Sequence, residues 1–210
     1  MYFIGGSDIP YYAVWKMISV AVAFVNTSWY GCAMNVKKNR QSWLNAGLQE
    51  LAEKGPGGLR IMPIADQLGV TKGSFYWHFK NLEEYQLALL EEWENSHTQQ
   101  AIECVESMGG EAGTKLRHWL LGSVAADFTL ERSIRIWSLV HGDAKEKQTR
   151  VDQKRIDYLS TLLLGVGWSK EEASTLGRWA FWAWVGYSTI EGPPVTQNQI
   201  KLILDVLTPK

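Results

Sequence analysis

The chain is short of cysteine: Cys32 and Cys104 are the only two in 210 residues. That excludes a disulfide framework and a thiolate metal cluster, and it points to a reducing compartment, the cytoplasm. There is no excess of either charge. The formal net charge is −1, so composition alone gives no basic signal for nucleic acid. No strand-like alternation and no internal repeat stands out, which excludes sheet and solenoid patterns. Reactive constellations are equally scarce. His97 and Cys104 lie seven apart and could share one helix face, but zinc needs more ligands than two. Gly165-Val166-Gly167 is too short for a dinucleotide fingerprint. With no paired carboxylates and no nucleophile pattern, the sequence predicts no enzyme, no metal and no cofactor.

Tryptophan is what the chain has in quantity, with 11 residues, most of them after residue 90. Large aromatic surfaces of that kind line a core or a pocket. Charge is also partitioned. Between Asn35 and Lys80 seven basic residues face three acidic ones, whereas the rest of the chain is net acidic. Phosphate binding needs such a basic region, although a solvated surface helix needs it too.

Inside the basic region lies Ile61 to Leu82, IMPIADQLGVTKGSFYWHFKNL. Ile64, Ala65 and Leu68 give a first short helix an apolar face. Pro63 falls in its first turn, where a missing N–H costs little. Gly69 stops it, as a residue of positive φ. Val70 plugs the angle, and the Thr71 hydroxyl is placed to cap a second helix. Phe75 and Phe79, four apart, form that helix's buried stripe. Its other face shows Lys72, Ser74, Tyr76, Trp77 and His78. This is the pattern of a helix-turn-helix, whose second helix enters the DNA major groove. The alternative is a plain helical hairpin with no nucleic-acid role.

The longer run resembles the signature of the TetR (tetracycline-repressor-like) family of transcriptional regulators. Ile64-Ala65, Leu68-Gly69-Val70, Gly73-Ser74-Phe75-Tyr76 and His78-Phe79 carry the resemblance. The chemistry of these side chains fits a DNA reader. Lys72 suits phosphate or a guanine edge, Thr71 and Ser74 suit phosphate, and Gly73 permits close backbone approach. Tyr76 and His78 can donate to phosphate oxygens, while Trp77 offers an apolar face to a thymine methyl or a sugar. For Trp77 and His78, packing against the next helix is an equal alternative. The resemblance implies DNA contacts at Tyr76, Trp77, His78 and Lys80. It departs at Leu82, where the family usually carries a basic residue, and Lys80 is the expected substitute.

Residues 1–34 do not match the rest. From Met17 to Val36 no residue is charged. A secretory signal, a marginal membrane span and a start site at Met34 all fit this segment, and the expected reading is the start at Met34. Met34-Asn-Val-Lys-Lys-Asn-Arg resembles the short basic arm that opens many family members. A membrane-tethered regulator requires that residues 1–33 be made.

Helical periodicity predicts a helix from about Arg40 to Glu53, ended by Gly55-Pro56-Gly57-Gly58. Asn81 with Glu84 is a capping-box pattern opening a long helix to about Met108, and Ser169 with Glu172 and Thr196 with Gln199 repeat it. The helix after Ser169 is apolar on nearly all sides and is expected to be buried on two faces. The expected architecture is all-α. It comprises an atypical N-terminal extension (1–34), a three-helix helix-turn-helix DNA-binding domain (35–81) and a helical dimerisation and effector domain (82–210). The resemblance implies a homodimer through the last two helices on a palindromic double-stranded operator, commonly acting as a ligand-responsive repressor. It also places Trp119, Trp137, Phe181 and Trp184 around a small-molecule cavity, with His118, His141 and Arg178 as polar candidates. Ordinary core is the plainer reading of each tryptophan. An enzyme or carrier with a vestigial helix-turn-helix is the competing class.

Overall fold

The computed structural model describes residues 39–190 and 192–209. The extension 1–34, the Met34 start and the arm lysines Lys37 and Lys38 lie outside the described residues. Among the described residues every regular element is helical, and no helix is long and apolar enough to cross a membrane.

Helix α1 (Arg40–Lys54) is capped by the Asn39 side chain, which accepts from the Ser42 N–H. It buries Trp43, Leu44, Leu48 and Leu51, and Gly55 at φ 68° ends it. Glycine within a helix costs about 1 kcal/mol against alanine, so Gly47 needs a packing reason. A Cβ there would lie 2.0 Å from Tyr85 Oη. That hydroxyl donates to the Trp43 carbonyl at 2.5 Å. Burial, with Glu50 adding to it, pushes the Tyr85 phenol well above its usual range, so it remains a donor.

After the 3-10 turn Pro56–Gly58 come α2 (Ile61–Leu68) and α3 (Lys72–Tyr76). Gly69 sits between them in the left-handed region (φ 67°, ψ 35°), as its position predicts. Helix α3 is shorter than its pattern. Phe79 falls in the turn beyond it but stays on the same side, because its N–H reaches the Phe75 carbonyl at 3.0 Å.

Helix α4 (Leu82–Glu94) does not run unbroken to Met108. It passes through a π turn, Asn95–Gln99, before α5 (Gln100–Met108). This wider turn changes the register, and Ser96 and Thr98 end up buried. Ser96 Oγ donates back to the Glu92 carbonyl at 2.6 Å, and Thr98 Oγ1 accepts from Arg155 at 3.0 Å. At the start of α4, Asn81 caps the Glu84 N–H at 2.8 Å. Glu84 returns to the Lys80 N–H instead of that of Asn81, so the expected reciprocal box is displaced by one residue.

The remainder is α6 (Ala112–Ala125), α7 (Thr129–Ser138), α8 (Gly142–Gly165), α9 (Lys170–Thr189) and α10 (Gln197–Leu207). The boxes at Ser169 and Thr196 are complete on both sides. Helix α9 packs along α8. Gly177 allows this close approach, since a Cβ there would sit 2.5 Å from Ser160 Oγ.

Two apolar cores result among the described residues. One joins α1 to α4 with Leu130, Ile134 and Trp137 of α7 and Ala144 and Val151 of α8. The other gathers Leu116, Leu159, Leu163, Ala173, Phe181 and Leu207. Within one chain α9 buries a single side, Ala173, Gly177, Phe181 and Ser188. Trp179 and Trp182 are 57% and 60% exposed. The all-round apolar pattern therefore includes a second face that the described residues leave exposed.

Candidate functional site

The helix-turn-helix is held from beneath by an aromatic cluster. Phe75 meets Trp43 and Tyr85 edge-on at 5.3 and 5.4 Å, and Phe79 meets Tyr85 at 4.8 Å. All four rings are buried. Edge-to-face pairs add about 0.5–1.5 kcal/mol each beyond their buried area. Arg40 at the start of α1 lies over the Phe79 ring. The cluster fixes α3 so that its other side must face solvent.

That outer side carries most of the expected residues. Thr71, Lys72, Gly73, Tyr76, Trp77 and Lys80 are exposed, with Trp77 at 87%, whereas Ser74 and His78 are half-buried. Trp77 is thus free of the core, and His78 rests edge-on against Phe79. Lys72 Nζ lies 6.0 Å from the Tyr76 ring centre. Thr71 occupies the N-cap position, but its hydroxyl makes no cap bond. Its carbonyl instead accepts from the Ser74 N–H at 2.9 Å, leaving the hydroxyl unused. A Cβ on Gly73 would meet nothing nearer than Thr71 Oγ1 at 3.6 Å. Internal packing therefore does not require glycine there.

The expected aromatic pocket residues divide between the two cores, with Trp119, Phe181 and Trp184 together in the second. Trp137 belongs to the first core and stacks near His141 at 5.3 Å. Trp119 packs edge-on against Tyr158 at 5.0 Å. Arg178 is exposed and His118 is half-buried. Phe181 and Trp184 do meet, at 5.7 Å.

Sequence reading missed what lies beside that pair. Arg155 is 4% exposed and sits between two indoles, 5.4 Å from the Trp93 centre and 5.2 Å from that of Trp184. Its guanidinium donates to Thr98 Oγ1 and, at 3.1 Å, to Glu131 Oε1. Arg135 reaches the same Glu131 oxygen at 2.8 Å and grips Asp152 with two bonds of 3.1 and 2.9 Å. Burial pushes the Glu131 carboxyl up, but Arg155 and Arg135 outweigh it, so the group is held below its usual range and ionised. A signal for Arg155 existed. It falls in the buried stripe Val151, Arg155, Leu159 and Leu162 at helical spacing.

His97 borders this cluster. Burial first and Arg155 second depress its imidazole from 6.5 to about 4, against the pull of Glu131 and Asp127. The folded ring therefore stays neutral where the unfolded one takes a proton. Stability is fully present above pH 6.5 and is lost as pH falls through the window from 6.5 to about 4. The loss from this one group is on the order of 3 kcal/mol. Urea unfolding from pH 7 to pH 4 is expected to show this slope, and His97→Gln is expected to flatten it. An equal slope in the variant would assign the acid sensitivity to the carboxylates.

Residues 44–84 match the family model of bacterial regulatory proteins, tetR family. The transcriptional regulator AcuR of Cereibacter sphaeroides is 41% identical over 54 residues, a match covering 26% of this chain and 25% of that protein. The chain thus spans about a quarter of the length of the curated relative it matches. Among solved structures, a TetR transcriptional regulator from Legionella pneumophila aligns with TM-score 0.66 at 14% identity, covering 84% of this chain and 100% of that one. The reduced form of NemR from E. coli aligns with TM-score 0.61 at 18% identity, covering 80% and 93%. At these identities the structural likeness concerns the fold. Residues 44–84 are thus similar to the tetR family of bacterial regulatory proteins, and the described chain has the fold of these solved TetR regulators.

Proposed function

We propose that the chain is a sequence-specific DNA-binding transcriptional regulator that works as a homodimer and answers to a small molecule. The observation that carries this reading is the two-sided α3. Phe75 and Phe79 anchor it in the core, while Lys72, Tyr76 and Trp77 stand in solvent beside Gly73, where nothing internal requires glycine. Such a face suits phosphates and base edges. The uncovered apolar residues of α9 and α10, including Trp179, Trp182, Leu202 and Val206, suit a second copy of the chain. Two copies would set their α3 helices on successive major grooves, about 34–36 Å apart. Residues 35–81 are the DNA-reading part in this proposal, and residues 82–210 the dimerising and sensing part.

Helix α7 connects the two activities. It packs on α1 behind the DNA-reading helix and on α8. Its inner side carries Glu131 and Arg135. A ligand that prefers one position of α7 would shift the population between DNA-matched and mismatched dimers.

The test is binding to the DNA upstream of the protein's own gene, with salt titrated and a scrambled competitor present. Specific binding should survive the competitor and weaken with salt. Lys72→Ala and Tyr76→Ala are each expected to weaken operator binding by about 10- to 100-fold, the equivalent of 1–3 kcal/mol, with dimerisation unchanged. Wild-type affinity in both variants would remove α3 from the DNA interface.

A further inference from the structure

Helix α3 is too short to hold its own direction. It has five residues and no side-chain cap bond. Its seat is shared by two other helices. Trp43 of α1 and Tyr85 of α4 both receive Phe75 edge-on, and Tyr85 also receives Phe79. Apolar contacts hold such a seat together but have no direction of their own, whereas a hydrogen bond does. Among the described residues, one side-chain hydrogen bond joins α1 to α4. The Tyr85 hydroxyl donates it to the Trp43 carbonyl at 2.5 Å, with the ring fully buried. The carbonyl does not need this bond. Trp43 lies inside α1, so its carbonyl already serves the helix ladder and offers the phenol a second lone pair. A phenylalanine and an alanine in place of Tyr85 and Gly47 would fill the same space, bury no hydroxyl and favour the helix. The chain instead has glycine where a Cβ would lie 2.0 Å from the Tyr85 oxygen. Two residues depart from the plainer packing, and both departures serve one bond.

From this we infer that Tyr85 is a positioning residue for DNA recognition: its hydroxyl, held by the Trp43 carbonyl, sets α4 against α1 and so aims α3. The inference rests on the proposal that α3 reads DNA, and it names the contact that fixes the angle of approach. Base edges are read only from a narrow range of angles, whereas long basic side chains meet phosphates from many. Loss of the bond therefore weakens specific binding and spares non-specific binding. The seat itself survives in Tyr85→Phe, because the ring that holds Phe75 and Phe79 is still there.

The experiment compares the full wild-type chain with Tyr85→Phe, Gly47→Ala and the double variant. Each is titrated at low temperature against a duplex from upstream of the protein's own gene and against a scrambled duplex of equal length. Melting temperatures are recorded on the same samples. All three variants lack the bond, Gly47→Ala because its Cβ displaces the hydroxyl. All three are therefore expected to bind the upstream duplex about tenfold more weakly, the worth of one hydrogen bond, and the scrambled duplex within about twofold of wild type. Stability should part from affinity along the series. Gly47→Ala should melt lowest, and the double variant should regain part of that loss without regaining the upstream duplex. If Gly47→Ala does not fold, Tyr85→Phe and the double variant decide. Affinity that simply follows melting temperature overturns the inference, because the hydroxyl then contributes only stability. An equal loss on both duplexes overturns it too, since the aim of α3 would not be what changed. A discriminating wild type matched by Tyr85→Phe sinks this inference alone. A wild type that cannot tell the two duplexes apart sinks the regulator proposal, and this inference with it.

Discussion

Alanine at Gly47 is expected to lower the melting temperature by roughly 10 °C, although alanine is the better helix former. The added Cβ would lie 2.0 Å from Tyr85 Oη and 2.8 Å from a methyl of Leu89. A long flexible side chain would step aside, but the Tyr85 ring is wedged against Trp43, Phe75 and Phe79. Moving it also breaks the bond to the Trp43 carbonyl. Overpacking costs about 1–3 kcal/mol and a lost buried hydrogen bond a similar amount. The gain in helix propensity offsets only about 1 kcal/mol. Differential scanning calorimetry measures the shift. Tyr85→Phe in the same chain should restore part of it, because the hydroxyl is the nearest obstacle. A melting temperature unchanged by Gly47→Ala would mean that α1 and α4 part more easily than this packing implies.

The second large effect is an asymmetry within the buried ion cluster. Glu131→Leu is expected to cost about 3–5 kcal/mol, the usual penalty for stranding a buried charge. It leaves Arg155, 4% exposed, with Thr98 and two indoles but no anion. Arg155→Met should cost clearly less, because Glu131 keeps Arg135 at 2.8 Å. The double variant should be less destabilised than Glu131→Leu alone, since no charge is then abandoned. Urea denaturation of the three variants gives the comparison. A more damaging Arg155→Met would show that the two indoles depend on the guanidinium for their packing.

The helix-turn-helix end was legible because its elements are local. Gly69 needs positive φ, and Phe75 and Phe79 are separated by one helical turn, so sequence spacing contains the geometry. The completed boxes at Ser169 and Thr196 were legible for the same reason. The π turn at Asn95–Gln99 was not. It depends on Thr98 meeting Arg155, 57 residues away. The buried ion cluster was hidden likewise, since Arg155, Glu131 and Trp93 come from three helices and each looks ordinary on its own. The aromatic residues chosen from the sequence were spread over both cores, because tryptophan content marks buried surface without saying which surface.

The first core has a consequence for how this molecule can be divided. Trp43, Phe75 and Tyr85 share a single apolar body with Ile134, Trp137 and Val151. The boundary near residue 81, natural for recognition, is therefore not a boundary for cooperativity. A fragment ending there would leave behind Tyr85, Leu89 and Trp93 as well as the face of α7 that roofs α1. For the proposed regulator, a new DNA specificity is best transplanted by exchanging the outward residues of α3 alone. Swapping the whole segment would ask a foreign α1 to fit a surface of α7 that it has never met, and the graft would inherit the recipient's packing problem.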